Sequence, residues 1–329
     1  MKNKLADVNE VTAMIKDGKK LIVAGDESAL KKLPAGHWIG GTIPYFMSEK
    51  GGLMSHDMIF VNEIPSYVKQ MTVRTYTEET VASIYTDAPS NGFSVIIIPG
   101  SSPIHMSFAL NAPSYEGFAT KPLIGWISGS HLDDIGKVRP KVFFGESLKI
   151  LDDKAVAMHI TLPDGKYADI NIINIFTQGD GDEISFPEDG FTASTALING
   201  EEMNFADYIV EHDIDIRFPL VADYNGAMIN ISFQSIDANK GITSFYAPVF
   251  KGVAYRLARP VHDYVEEFTD HLPGKGIDSI FFSCNCILNY LYSELEGKKT
   301  GGITGPITFG EIAYQLLNQT LAYVVIEDL

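Results

Sequence analysis

Apolar residues in the N-terminal part of the chain alternate between helical and strand spacing. Over Asp7–Lys16 they recur every three or four positions, which predicts a short amphipathic helix. The run Leu21–Gly25 predicts a buried strand, and Asp26 is placed to cap a helix that continues to Leu33. Trp38-Ile39 predicts a strand that is interrupted by the two glycines after it.

Longer alternating segments dominate from residue 155 onward. Val156–Leu162 and Tyr167–Ile172 alternate on either side of a Pro-Asp-Gly turn, which predicts a β-hairpin. A second meander is predicted through Ala227–Phe233 and Thr243–Tyr246. Further helices are predicted at Thr77–Thr86, Asn204–Glu211, Val261–Leu272 and Ile287–Leu295, and further strands at Met58–Val61, Phe93–Pro99, Ser279–Phe282 and Thr320–Ile326.

Strands outnumber helices in this pattern and several join as hairpins. The predicted fold class is therefore α+β, with mixed, largely antiparallel sheets flanked by helices. At 329 residues the chain exceeds one ordinary core, and two modules are predicted, residues 1–195 and 196–329. One internal echo suggests a duplication: Gly40–Phe46 precedes the strand Met58–Ile64, and Pro306–Ile312 precedes the strand Thr320–Ile326. Chance similarity between glycine-rich turns is the alternative explanation.

The charge balance narrows the range of expected partners. The chain carries 25 Lys and Arg against 42 Asp and Glu, a formal net charge of −17. Such an acidic surface repels phosphate backbones and anionic lipids, so neither a nucleic-acid nor a membrane partner is expected. The chain starts without the apolar run of a signal peptide, and no window reaches the roughly 18 apolar residues of a membrane span. With only two cysteines, these features predict a cytoplasmic protein without a disulfide framework.

The sequence lacks the short strings that usually mark a catalytic or cofactor site. No G-x-S-x-G, H-E-x-x-H, P-loop or dinucleotide-binding string occurs, so no cofactor is predicted. The eight histidines form no i, i+4 pair, and Cys284 and Cys286 lack the further ligands of a metal centre, so no metal is predicted. We therefore favour a protein without catalytic activity. The alternatives are an enzyme that uses Cys284 as a nucleophile and a structural subunit of an assembly.

Two turns place backbone donors and polar side chains where a ligand can dock. Ser101 and Ser102 follow the strand Phe93–Pro99 and precede a proline, so they either contact a small anion or simply cap the next helix. The glycine-rich stretch Gly301–Glu311 allows close backbone approach, and ordinary turn chemistry is its alternative explanation. The polar residues of this stretch are Thr304, Thr308 and Glu311.

Several segments near the C-terminus occur in an order known from one family. Phe281–Asn285 is followed by Thr308–Ile312 and then by Asn318–Leu321, which leads into the last predicted strand. Together they resemble the C-terminal module of the FIST sensory domain. The turn that carries Gly41 and Thr42 resembles the G-x-T turn of the family's N-terminal module. Further similar segments are Phe205–Ile209, Phe218–Leu220 and Val249–Leu257.

The resemblance implies a cytoplasmic sensory or signal-transduction protein that binds a small molecule. Amino acids are the ligands proposed for that family. A separate signalling protein is the expected partner, because 329 residues leave no room for a fused output domain. Two departures leave the ligand type and the N-terminal site open. Cys286 stands where the family usually has a basic residue, and Pro44–Phe46 replaces its G-E-I string.

We predict the ligand site between the strand Ser279–Phe282 and the turn Gly301–Glu311, since strand ends and glycine turns expose backbone donors. An ionised Glu311 without a counter-charge would favour an amine on the ligand, whereas pairing with Arg256 would remove that preference. The candidate ligand-binding residues are Cys284, Asn285, Thr304, Thr308, Glu311 and Asn318, with Gly41, Thr42, Ser101 and Ser102 in the N-terminal part.

Overall fold

The computed structural model describes residues 3–273 and 277–329. Strands account for 43% of the chain and helices for 16%, in mixed and antiparallel sheets, which confirms the predicted α+β class. The chain divides into two compact units, and the second unit interrupts the first in sequence. Unit 1 comprises Met1–Ile173, Leu272–Leu316 and Leu321–Leu329, and unit 2 comprises Asn174–His271 and Leu317–Thr320. The boundary predicted near residue 195 therefore falls inside unit 2.

The elements before residue 174 all belong to unit 1. The first group is β1 (Asn3–Asp7), α1 (Val8–Lys16), β2 (Leu21–Gly25), α2 (Glu27–Leu30), β3 (Trp38–Thr42), β4 (Tyr45–Ser48), β5 (Gly51–Met54) and β6 (Met58–Glu63). The second group is β7 (Gln70–Tyr76), β8 (Gly92–Pro99), α3 (Pro103–Asn111), β9 (Leu123–Ser128), β10 (Val142–Phe144), β11 (Lys149–Leu151) and β12 (Ala155–Thr161), and β13 (Lys166–Ile173) follows.

The remaining elements form unit 2 and then return to unit 1. Those of Asn174–His271 are β14 (Ile184–Ser185), β15 (Gly190–Ala193), β16 (Thr195–Ile198), β17 (Glu201–Asn204), α4 (Phe205–Glu211), β18 (Leu220–Tyr224), β19 (Ala227–Ile231), β20 (Phe233–Asp237), β21 (Ile242–Val249), β22 (Tyr255–Leu257) and α5 (Tyr264–Asp270). The C-terminal ones are β23 (Ile280–Cys286), α6 (Ile287–Tyr292), β24 (Gly305–Thr308), β25 (Glu311–Ala313), β26 (Gln315–Leu317) and β27 (Leu321–Asp328).

Local sequence rules explain where several helices begin. The Asp7 side chain accepts a hydrogen bond from the backbone N–H of Glu10 at 2.9 Å, which caps α1. Asp26 does the same for α2 through the N–H of Ser28 at 2.8 Å. These caps satisfy donors that the first helical turn leaves free, so the predicted starts of both helices are confirmed.

Unit 1 contains three six-stranded sheets with the same internal arrangement. The strand order is β1-β6-β2-β3-β10-β11 in the first sheet, β7-β12-β8-β9-β25-β26 in the second and β13-β27-β23-β24-β4-β5 in the third. In each sheet the two central strands run parallel and are joined by a helix: β2-α2-β3, β8-α3-β9 and β23-α6-β24. The strands on both sides of each pair run antiparallel to it. Unit 1 is therefore a threefold repeat of one supersecondary pattern.

Each repeat gives its fourth and fifth strands to the sheet of another repeat. The hairpin β4-β5 of the first repeat completes the third sheet, and β10-β11 of the second repeat completes the first sheet. The third repeat supplies β25-β26 to the second sheet. The exchange is cyclic, so no repeat forms its own sheet from its own strands alone.

The repeat explains the internal echo in the sequence. Within the parallel pairs Thr42 lies opposite Gly25, and Thr308 lies opposite Cys286. Both threonines end the second strand of their pair, so the two glycine-rich turns occupy equivalent positions. Ser128 ends β9 in the same register and marks a third copy that the sequence echo did not show. The duplication predicted from sequence is thus part of a triplication.

Three predicted elements are wrong. The segments predicted as a hairpin around residue 164 do not pair with each other, because β12 lies between β7 and β8 while β13 pairs with β27. Gly40 and Gly41 do not interrupt β3, which runs on to Thr42. The helix predicted over Thr77–Thr86 is reduced to a single 3₁₀ turn at Val81–Ser83.

Unit 2 is built from two sheets around an aromatic core. Its sheets have the orders β17-β16-β14-β22-β18-β19 and β15-β21-β20. Phe186 packs edge-on against Phe205, Phe245 and Tyr255, with ring centroids 5.2 to 5.8 Å apart. Aromatic pairs at such distances add to the stability gained from burying their area. Unit 2 therefore has its own hydrophobic core.

The packing of Gly41 generates a stability prediction. A Cβ atom at this position would lie 2.6 Å from Ile97 Cγ2 and 3.0 Å from Trp126 Nε1, so Gly41→Ala forces a buried strand to shift. We expect a loss of about 1–3 kcal/mol in the free energy of unfolding, measured by urea denaturation. Gly181→Ala is the control, because a Cβ there meets nothing within 4 Å. Equal stabilities of the two variants would contradict the packing argument.

Candidate functional site

The predicted cysteine motif lies inside a central strand rather than after its end. Strand β23 extends to Cys286, four residues beyond its predicted end, and Cys284 and Asn285 therefore point to opposite faces of the third sheet. The Cys284 Sγ donates to the carbonyl of Gly125 at 3.3 Å. The Asn285 Oδ1 accepts from the amide of Asn289 in α6 at 2.9 Å. The prediction that both side chains face one ligand is wrong for this reason.

The structure does bring Cys284, Thr308 and Glu311 together. Thr308 ends β24, which runs parallel to β23, and it lies opposite Cys286. Its hydroxyl donates to the Asn285 carbonyl at 3.3 Å. Glu311 begins β25 and lies opposite Trp126 on β9. Cys284, Thr308 and Glu311 are all at most 1% exposed. Their sequence motifs therefore converge on a buried cluster inside unit 1.

Burial fixes the chemical state of the Cys284 thiol. Loss of solvent raises its pKa well above the ordinary value, and the nearby Glu311 carboxylate raises it further. A thiol in these surroundings stays protonated at neutral pH and is a poor nucleophile. The cluster therefore lacks the thiolate that a cysteine enzyme requires.

Of the serine pair before α3, Ser102 caps the helix. The backbone N–H of His105 donates to Ser102 Oγ at 3.3 Å, and Pro103 is the first helical residue. Ser101 adopts the left-handed conformation with φ 57°, and its N–H donates to His105 Nδ1 at 3.1 Å. Capping therefore accounts for Ser102, whereas Ser101 contributes a backbone hydrogen bond at the same turn and its side chain is exposed.

Gly41, Thr42 and Asn318 are likewise engaged in the fold. Thr42 Oγ1 donates to the carbonyl of Gly129 at 2.7 Å and accepts from the N–H of Lys141 at 2.9 Å. The backbone of Gly41 packs against Ile97 and Trp126, as described above. Asn318 belongs to unit 2, where its carbonyl accepts from the Asn230 side chain at 3.1 Å.

Thr304 is the predicted site residue that lines the larger of two cavities in unit 1. This cavity has a volume of about 400 Å³ and lies within unit 1, between the edge of the first sheet and the β4-β5 hairpin. Its apolar wall consists of Leu5, Leu53, Met58 and Phe60, and its polar residues are Asn3, Lys4, Ser48, Glu49, Lys50 and Thr304. We refer to it as the Thr304 cavity.

A second, much smaller cavity of about 40 Å³ lies where β3 and β9 end. Thr42 and His131 line it together with Asp26. The Asp26 carboxylate lies 2.9 Å from His56 Nδ1, and the His56 ring packs against His131 at 5.5 Å. Partial burial is the largest single effect on the pKa of Asp26 and raises it. Hydrogen bonds from Ser28 and His56 together outweigh burial, so the pKa is lowered overall. This volume suits one or two water molecules rather than a metabolite.

Sequence reasoning missed all of the Thr304 cavity except Thr304 itself. The cavity combines β1, the β4-β5 hairpin, β6 and the segment before β24, which are far apart in the chain. The alternation of Leu5, Met58 and Phe60 in their strands signals a common inward face. No local pattern shows that this face is left partly uncovered.

A family model matches residues 6–327. The chain belongs to DUF6976, a family of unknown function. Comparison with curated proteins and with solved structures gives no match. Across residues 3–273 and 277–329 of this DUF6976 protein, no helix is long and apolar enough to cross a membrane. The same residues contain no group of three or more His, Cys, Asp or Glu side chains arranged to hold a metal ion.

Two buried histidines in the DUF6976 protein serve the fold. His159 Nε2 lies 2.7 Å from the Tyr76 hydroxyl, which donates to Asp87 at 3.0 Å, and His159 Nδ1 lies 2.7 Å from Ser94 Oγ. Because Tyr76 gives its proton to Asp87, it accepts one from Nε2, and Ser94 then donates to Nδ1. Burial lowers the pKa of both His159 and His105 to about 4. Both imidazoles are therefore neutral in the folded state at neutral pH.

The lowered pKa values predict a pH-dependent stability. Between pH 6.5 and about 4 the unfolded chain binds protons at these two histidines that the folded chain does not, so stability falls as the pH falls. We expect a slope of about 1.4 kcal/mol per pH unit from each imidazole. Urea denaturation from neutral pH to about pH 5 measures it. His159→Gln keeps an amide donor and acceptor and should lower the slope by one proton. An unchanged slope would contradict this.

The buried thiols predict that the native DUF6976 protein resists alkylation. Cys284 and Cys286 are each 1% exposed, so iodoacetamide near neutral pH should leave both unmodified, as judged by intact mass. The urea-unfolded protein is the control and should be labelled at both positions. Rapid labelling of Cys284 in the native protein would instead favour the enzyme alternative.

Proposed function

We propose that this protein binds a small metabolite in the Thr304 cavity without transforming it. The observation that carries the proposal is the cavity itself, whose volume of about 400 Å³ falls in the range of small-molecule sites. A lining of four apolar side chains together with polar groups matches the usual composition of such sites. The resemblance to the FIST family, which implies a small-molecule sensor, supports the same function.

The charges at the cavity favour an amino acid or an amine as the ligand. Glu49 and Lys50 lie on the exposed turn between β4 and β5 and give one charge of each sign. Lys4 is paired with Glu10, so Lys50 is the lysine left to meet a ligand carboxylate. An ammonium group facing Glu49 and an apolar body on Phe60 and Leu53 complete the match.

The chemistry of the described residues favours binding over catalysis. The one nucleophile suggested by the sequence, Cys284, is a protonated thiol in a buried cluster. The histidines His105 and His159, with a pKa of about 4, are weak bases held in structural hydrogen bonds. A sensory role fits this inventory, with the signal passed to a separate protein in the cytoplasm. The acidic surface and the two free cysteines suit that compartment.

Filling the cavity tests the proposed function. Purified protein is screened for thermal stabilisation with a library of amino acids and amines. A ligand present at 100 times its Kd should add about 2.7 kcal/mol of stability. Leu53→Trp places a large side chain in the cavity and should abolish the shift, whereas Leu148→Trp, at an exposed position outside it, should retain the shift. No shift with any compound, or a shift that survives Leu53→Trp, would overturn the proposal.

A further inference from the structure

The Thr304 cavity adjoins the outer edge of β1. This strand is the terminal one of the first sheet, and among the strand pairs of the described residues β6 is its one partner. Three consecutive residues of β1, Asn3, Lys4 and Leu5, all line the cavity. Successive side chains of a strand point to opposite faces, so a cavity that touches three in a row reaches the edge of the strand itself.

The hydrogen bonds of β6 show which backbone groups of β1 point outward. The N–H of Ile64, directly after β6, donates to the carbonyl of Lys20 at 2.8 Å, so the backbone groups of Ile64 point towards β2. Because these groups alternate along a strand, those of Val61 point the other way, towards Lys4, which lies opposite Val61. The N–H and C=O of the next residue, Leu5, therefore point away from β6, to the open edge.

The backbone of Leu5 is free to pair with another chain. Outside the strand ladder, no backbone or side-chain group of the described ranges forms a hydrogen bond with it. Leu5 is also partly exposed, and so are Asn3 and Lys4 beside it. An unpaired sheet edge of this kind binds an extended chain by exchanging N–H and C=O groups with it.

The apolar wall of the cavity lies on the side where such a chain would place a side chain. Phe60 lies opposite Leu5 in the antiparallel pairing, so both side chains are on one face of the sheet. Met58 and Leu53 complete the wall. A residue paired with Leu5 in antiparallel orientation puts its own side chain on the same face, against these apolar groups.

We propose that the ligand of the Thr304 cavity is a short peptide that binds in extended form as an added antiparallel strand on β1. One apolar residue of the peptide exchanges both of its backbone hydrogen bonds with Leu5 and packs its side chain on Phe60 and Leu53. This inference rests on the proposed function and narrows the ligands from free amino acids and amines to peptides. The backbone of Leu5 recognises the peptide bond, and the apolar wall selects the side chain.

Methylation of single peptide nitrogens tests the inference on the unmodified protein. The probes are the tripeptide Ala-Leu-Ala and two derivatives, one methylated on the nitrogen of the central leucine and one on the nitrogen of the third residue. The central N–H faces Leu5, whereas the next N–H points away from β1 because the groups alternate. We expect the first methylation to weaken binding roughly tenfold by calorimetry and the second to weaken it much less.

A substitution in β1 tests the same contact from the protein side. Leu5→Pro removes an N–H that faces away from β6, so the ladder between β1 and β6 is kept, as for prolines on natural edge strands. We expect this variant to lose roughly tenfold in affinity for Ala-Leu-Ala. The matched control is Leu5→Val, which keeps both the N–H and an apolar side chain and should bind nearly as well as the unmodified protein. Thermal unfolding shows whether both variants are folded, and if Leu5→Pro is not, the two methylated peptides decide.

Three results would overturn the inference: no binding of Ala-Leu-Ala, equal losses from the two methylations, or full affinity in a folded Leu5→Pro variant. The proposed function would still stand in that case if free amino acids or amines stabilise the protein and Leu53→Trp abolishes their effect.

Discussion

The Trp126 indole is the contact on which unit 1 depends, because all three of its sheets meet there. The side chain projects from β9 of the second sheet, stacks on Phe282 of the third sheet at 5.4 Å and packs against the Gly41 backbone of the first. Glu311 lies opposite it on a strand from another repeat. A large ring can occupy this position only because the residue facing it has no side chain. The glycine in β3 and the tryptophan in β9 are thus one structural feature.

The cyclic exchange of hairpins makes the three repeats mutually dependent. A sheet that lacks its imported hairpin exposes an unpaired edge on its second parallel strand, and such edges invite incorrect pairing. Each exchange also joins segments that are distant in sequence, as between β4 and β24. Topologies rich in such contacts fold slowly, since the chain must close large loops before the contacts form. The three repeats of unit 1 are therefore one cooperative body built from similar parts.

The sequence predicted those elements whose cause is local. Asp26 was identified as a cap, and the helix start at Asp7 was found, because a helix start is decided by side chains within a turn of it. The predicted hairpin after β12 failed because alternation shows which face of a strand is buried and says nothing of its partner. Gly40 and Gly41 were expected to interrupt the strand, yet both lie within β3. Neighbouring side chains pack so closely on their backbone that a Cβ atom would have no room at either position. Their role is set by tertiary packing.

The candidate site was predictable only in part for the same reason. The motifs containing Cys284, Thr308 and Glu311 were expected to converge, and they do. The end of β23 was predicted four residues too early, so the alternation that turns Asn285 away from Cys284 was missed. The Thr304 cavity is defined by what several distant strands fail to fill. Such a volume has no counterpart in the spacing of residues along the chain.

The position of unit 2 within the third repeat has a consequence for protein synthesis. Strand β13 leaves the ribosome before the whole of Asn174–His271, and its partner β27 follows only after that insertion and the other strands of the third sheet. The first two repeats and most of unit 2 are complete while the third sheet still lacks its second strand. Until β27 is made, the third sheet is divided between β13 and β23, so its assembly has to wait for a strand that follows the main segment of unit 2.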